Sequence, residues 1–228
     1  MEEQFPLQAE LIERIDWLIS LRWLAVVGTL LTIVVVNFYF PGLLLQGPLI
    51  AVTTAIALYN FFFLLYARQL RAHESTALRL RQSTVFVYVQ IALDLIALTT
   101  LLHFAGGVEN PFALFFVFHM IIASILLSPT ASLLVALLAS SLFAAMALLE
   151  YGGLVPHYNL AGLINPALYR HGTYVLASIL VMTITLFLVV YMTSSISTRL
   201  RARTHELLEV SRSREAKSRE LAELNTKL

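Results

Sequence analysis

The order of apolar and polar positions divides the chain into six apolar stretches, at residues 21–40, 48–66, 83–104, 112–127, 130–149 and 173–193. Most of them approach or reach the roughly 20 residues that one helical crossing of a bilayer needs. Turn-forming residues separate them: Pro41-Gly42 and Gly47-Pro48, Gly106-Gly107, Asn110-Pro111, Ser128-Pro129 and Gly152-Gly153. The fourth and fifth stretches could form one helix kinked at Pro129. Their combined run exceeds a normal crossing, so two spans joined by a very short turn are expected. The pattern predicts an all-α integral membrane protein, a bundle of six transmembrane helices.

Composition agrees. Hydrophobic residues make up 59% of the 228 and charged ones 13%, against roughly 45–50% and about 25% in a soluble domain. A water-solvated enzyme is excluded, and lipid is the expected partner of most side chains. A net charge of +1 points to no nucleic-acid partner, and the absence of cysteine removes disulfides, thiol switches and cysteine metal sites.

The basic residues orient the bundle. Arg68, Arg71, Arg79 and Arg81 fill the connection between the second and third stretches. Arg199, Arg201 and Arg203 follow the sixth, and Arg14 and Arg22 precede the first. The connection around Gly106 has no Lys or Arg, and the long one after Glu150 has only Arg170. The positive-inside rule then puts both termini in the cytoplasm, as an even number of spans requires.

The ends differ from the middle. Glu2 and Glu3 argue against a signal peptide. In residues 1–20, Leu7, Leu11, Ile15, Leu18 and Ile19 share one helical face, with Glu10, Glu13 and Arg14 opposite. That suits an interfacial amphipathic helix with Trp17 and Trp23 at headgroup level, or else a solvated lead-in. Residues 21–195 form the expected membrane domain. Residues 196–228 are charged and, from Arg199 on, free of Gly and Pro; Leu200, Leu207, Leu221 and Leu228 recur at multiples of seven, with Val210 and Leu224 between. This reads as a cytoplasmic parallel coiled-coil linker, weakened by Arg203, Arg214 and Lys217 in the seam, or as a solvated single helix. His205-Glu206-Leu207 reads as helix surface. The chain stops at Lys227-Leu228 without a capping signal, and an output domain is expected to follow.

Asp94 is the acidic residue placed deep within a span, with Gln90 one turn away on the same face. Such a residue has a partner or a task. Depth counted along the helices places His119 within reach of Asp94, as a proton-accepting or ligand-orienting pair or as a polar clasp between helices. His103 and His119 differ too much in depth to ligate one haem iron, and the isolated His157 and His171 make no metal site, so neither metal nor haem is expected.

Between the third and fourth stretches stands Gly106-Gly107-Val108-Glu109-Asn110-Pro111-Phe112. Two glycines let other groups approach the backbone, Asn110 has the extended bias of a pre-proline residue, and Pro111 suits a first helical turn whose N–H groups can donate to a ligand carbonyl. Phe112, Phe115 and Phe116 add aromatic surface. The segment makes either a niche for a flat, carbonyl-bearing, lipid-soluble molecule or a tight turn without a ligand.

GGxxNPF between two spans resembles the quinone-binding heptapeptide of the RegB/PrrB-type redox sensor histidine kinases. Leu21-Arg22-Trp23-Leu24-Ala25-Val26, Asp94, Leu102-His103-Phe104 and Ala113-Leu114 are similar to that family as well. The resemblance implies a six-helix sensor in the bacterial inner membrane, with ubiquinone or menaquinone as sensed ligand. Gly106, Gly107, Asn110, Pro111 and Phe112 would then be the site residues. It also implies a homodimer joined through the cytoplasmic helix, and a downstream kinase acting on a response regulator. The chain itself has no ATP-binding boxes, so no catalysis is expected within it, and the redox cysteine of some members has no counterpart. The rival readings are a small transporter or channel using Asp94 and His119, and a plain dimerising membrane anchor.

Overall fold

The computed structural model describes residues 4–71, 77–160 and 168–226. They form six α-helices and no strand: α1 Gln4–Tyr39, α2 Gln46–Arg71, α3 Ala77–Phe104, α4 Phe115–Leu126, α5 Pro129–Tyr151 and α6 Gly172–Thr226. Short 3-10 turns at Gly107–Glu109, Pro111–Leu114 and Leu168–Arg170 fill the connections at one end, called the loop end below. Five helices are long and apolar enough to cross a membrane, and Pro111–Leu126 forms a shorter apolar one. At 1.5 Å per residue the shorter one reaches only about 24 Å.

The helices are two-faced in a membrane sense. Leu24, Val27, Leu31, Val34 and Phe38 of α1 lie outward at three- and four-residue spacing, whereas Ile15, Ile19, Arg22, Val26 and Ile33 are buried. With lipid outside, the outward stripe needs no polar cover. The inward face of α5 is rich in small residues, with Ser132, Ala136, Ala139, Ser140 and Ala147 buried beside Val135, Phe143 and Met146, and α5 packs against α3, α4 and α6. Small side chains let helix backbones come close, which is how helices associate where lipid removes the hydrophobic driving force. The centre of the core is Leu95 and Leu102 of α3, Phe116 and Met120 of α4, and Leu186 and Val190 of α6. The α1–α2 hairpin packs beside it against α3.

Pro129 starts a new helix rather than kinking one. Leu127 is extended at ψ 172, Ser128 caps α5 by accepting from the Ala131 N–H at 3.4 Å, and Pro129 occupies the first turn, where its missing N–H costs nothing. Ser132 Oγ donates to Ala123 O at 3.2 Å and stitches the two helices together. Helix α6 leaves the bundle beside this turn, and the Arg201 guanidinium donates to Ile125 O at the end of α4. The helix then continues unbroken to Thr226.

Candidate functional site

Among the described residues, two polar networks interrupt the apolar interior, and α3 contributes to both. The first joins α1, α2 and α3. Arg22 is 5% exposed. Its Nε and Nη2 donate to the two carboxylate oxygens of Asp94, each at 2.7 Å. Its Nη1 donates to Asn60 Oδ1 at 2.7 Å, and Nη2 also reaches Gln90 Oε1 at 3.2 Å. Tyr59 donates to Asp94 at 2.7 Å, Asn60 Nδ2 donates to the Ile19 carbonyl at 3.1 Å, and the rings of Tyr59 and Phe63 stand beside the guanidinium. This is the forked pairing for which arginine is suited, and it neutralises a carboxylate that lipid would not tolerate alone.

Two expectations change here. Arg22 is not a flanking charge on the membrane surface. It lies on the inward stripe of α1, because the face carrying Ile15 and Ile19 continues one turn further to residue 22. Nor does Asp94 meet His119, whose Nδ1 lies 2.9 Å from the Phe115 carbonyl of its own helix. Depth along a helix located both residues but not the direction each faces.

The second network closes the loop end. The heptapeptide turns on two glycines with positive φ, Gly106 at +110° and Gly107 at +52°. Their freedom is needed for packing too: a Cβ on Gly106 would stand 2.9 Å from Leu160, and one on Gly107 would stand 2.7 Å from Glu150 Cδ. Asn110 holds the turn from within. Its Oδ1 accepts from the Phe112 N–H at 2.7 Å and its Nδ2 donates to Ala105 O at 2.6 Å. The Ala113 N–H bonds to Asn110 O at 3.1 Å. The first-turn donors expected to be available to a ligand are therefore partly engaged within the chain. Phe112 and Phe115 are half-exposed and stacked at 5.6 Å, whereas Phe116 is fully buried against Phe143. Pro111 opens the second 3-10 turn.

Behind this turn, Glu150 of α5 is 1% exposed, and each of its oxygens takes an imidazole. His103 Nδ1 lies 2.7 Å from Oε1, and His157 Nδ1 lies 2.6 Å from Oε2. His157 Nε2 stands 3.8 Å from Glu109 Oε2, and Glu109 Oε1 accepts the Tyr169 N–H at 2.8 Å. Tyr169 stacks on His157 at 3.8 Å, and Tyr158 packs edge-on against His103. Among the described residues no three His or acidic side chains are arranged to hold a metal ion. From the sequence, His103 and His157 were weighed only as haem or metal ligands, and Glu150 and Glu109 were given no role. The signal was an acidic residue closing the fifth apolar stretch with His157 seven residues on, and a second, Glu109, inside the heptapeptide six residues after His103.

Residues 6–207 match the family model described as the PilS-like transmembrane domain, a six-span domain of the sensor-kinase type. The chain belongs to that family. No curated protein and no solved structure gives a match. A PilS-like domain is a membrane sensor module, so the two networks belong to a signalling bundle whose last helix continues beyond it.

Proposed function

We propose that this PilS-like domain is the input portion of a two-component histidine kinase in a bacterial inner membrane, with both termini cytoplasmic, and that its stimulus is the redox state of membrane quinone. Ubiquinone or menaquinone would lie against the half-exposed stacked pair Phe112 and Phe115, a flat aromatic surface at the lipid-facing edge of the heptapeptide. The fit is to the ring face. Asn110, whose amide is engaged at both ends, shapes the turn rather than holding a carbonyl. Gly106, Gly107 and Pro111 likewise act by shaping it.

The observation that carries the reading is the physical connection between this turn and the output helix. Glu109 in the heptapeptide holds the Tyr169 N–H, three residues before α6 begins, and α4 packs along α6. A ligand that favours one packing of the turn would bias α6, and α6 would carry the bias to a dimeric kinase and its response regulator. A difference of about 1–3 kcal/mol between the two redox forms suffices.

The test is binding of ubiquinone and menaquinone analogues to the protein in nanodiscs. Phe112→Ala and Phe115→Ala remove exposed rings and leave the turn intact, so affinity is expected to fall about tenfold, equivalent to about 1.4 kcal/mol. Unchanged affinity in both variants, or no binding by the unaltered chain, sinks the quinone reading and leaves the assignment as a sensor domain standing.

A further inference from the structure

The loop-end cluster stores charge that no Lys or Arg balances. Glu109 and Glu150 are both buried. Arg170 is the sole Lys or Arg between residues 104 and 172. Its exposed guanidinium donates to the Tyr169 hydroxyl and lies over that ring rather than on a carboxylate. The other titratable groups around the cluster are Tyr158 on His103, Tyr169 on His157, and the exposed Tyr151 and His171 at the facing ends of α5 and α6. Residues 161–167 contribute no titratable side chain by sequence. Two carboxylates removed from water need cations, and here only imidazoles can supply them.

Protonation is constrained by who donates to whom. An ionised carboxylate only accepts, so His103 and His157 must each carry a proton on the Nδ1 that meets Glu150. When His157 is neutral, that fixes its tautomer and leaves Nε2 with a lone pair; when it is the cation, Nε2 carries a proton as well. Nε2 is buried without a hydrogen-bond partner and stands 3.8 Å from Glu109 Oε2. The geometry points to a proton-binding site at His157 Nε2, making the proton at the loop end a stimulus in its own right, read by the contact between Glu109 and His157. It is independent of quinone, and it acts from outside the cytoplasm on the orientation proposed above.

Uptake of one proton converts the Nε2 lone pair into an N–H aimed at Glu109 and lowers the negative charge of the cluster by one. The contact, too long at 3.8 Å for a hydrogen bond, then has a reason to close. Closure draws the heptapeptide toward His157 and Tyr169, at the head of α6. Loss of that proton returns a lone pair to face a carboxylate and loosens the same contact. The tightened state binds more protons, so acid favours it.

Amide hydrogen exchange of the whole chain in nanodiscs tests this, corrected for intrinsic pH dependence and read at residues 106–110 and at the start of α6. Across a pH series, protection is expected to fall about tenfold with rising pH, through a single transition. His157→Gln and Glu109→Gln abolish that transition, and His171→Gln leaves it in place. Flat protection in the unaltered chain, or a transition that survives His157→Gln, overturns the proposal. Nitrogen NMR of the unaltered chain reads the same site without a variant. The His157 Nε2 resonance should move from lone-pair to protonated in step with the exchange transition, and a resonance that stays fixed also overturns it.

Discussion

Gly107 in the turn after α3 lies directly against the carboxylate of Glu150 at the end of α5, with no side-chain volume to separate them. The contact lets a buried carboxylate sit on backbone while two imidazoles take its oxygens. It makes the heptapeptide part of the helix packing and not merely a loop above it.

Gly107→Ala should therefore be among the most damaging single changes in the chain. The new methyl overlaps a group that cannot move without leaving both histidines, and the left-handed backbone adds strain of its own. A loss of about 2–4 kcal/mol is expected from overpacking plus backbone strain. Gly42→Ala is the comparison. Gly42 also has positive φ, at +83°, but a Cβ there meets nothing within 4 Å, so the cost should be only about 1–2 kcal/mol. Thermal unfolding of the two variants in one detergent checks the ranking.

The Arg22–Asp94 pair invites a double-mutant cycle. Arg22→Met alone leaves Asp94 with Tyr59 as its remaining partner, and Asp94→Leu alone leaves a buried guanidinium with Asn60 and Gln90. Each single change should cost about 3–5 kcal/mol, and the double change much less than their sum, because the stranded charge causes most of the loss. Arg22→Lys should not restore stability, since one ammonium cannot reproduce the fork to both oxygens of Asp94. Equilibrium unfolding in mixed micelles measures the cycle, and additive single effects would show that the pair is not coupled.

The pair also marks what could be read from the sequence. The positions of the helices followed from runs of apolar residues and from Pro and Gly, including the break at Ser128-Pro129. The partner of Asp94 did not follow, because a buried Arg close to the start of an apolar stretch has the same local signature as a flanking one. The spacing of Ile15, Ile19 and Arg22 held the missing information, but only the facing stripes, with Asn60 on α2 and Gln90 on α3, show that they converge. The heptapeptide was legible as a backbone feature. Its contacts were not, since Glu150 and His157 come from residues far along the chain, and the register between helices is set by packing.

Asn110 offers a test of the turn. Asn110→Ala removes the acceptor for the Phe112 N–H and the donor to Ala105 O. A cost of about 1–3 kcal/mol is expected where buried groups lose their partners. Asn110→Asp keeps the acceptor but sets a buried carboxylate oxygen against the Ala105 carbonyl beside Glu109 and Glu150, so it should cost at least as much as Ala. Exchange protection of the Phe112 amide separates the cases: retained in Asp, lost in Ala.

Helix α6 is where the sensor reading makes its mechanical commitment. Beyond the bundle, Leu200, Leu207 and Val210 lie exposed on a single chain, at 60%, 70% and 46% of full accessibility. Their seven- and three-residue spacing is that of a two-stranded seam, in which a partner helix would cover them. The chain contains no cysteine, so single-cysteine variants report on one position at a time. Leu207→Cys and Val210→Cys should form disulfide-linked dimers readily in membranes, because seam positions bring the two backbones within disulfide reach. Glu209→Cys, on a neighbouring face, should crosslink slowly. Equal rates at all three positions would mean that α6 leaves the bundle as a solvated single helix, and a paired coil would then not be the route by which it transmits a signal.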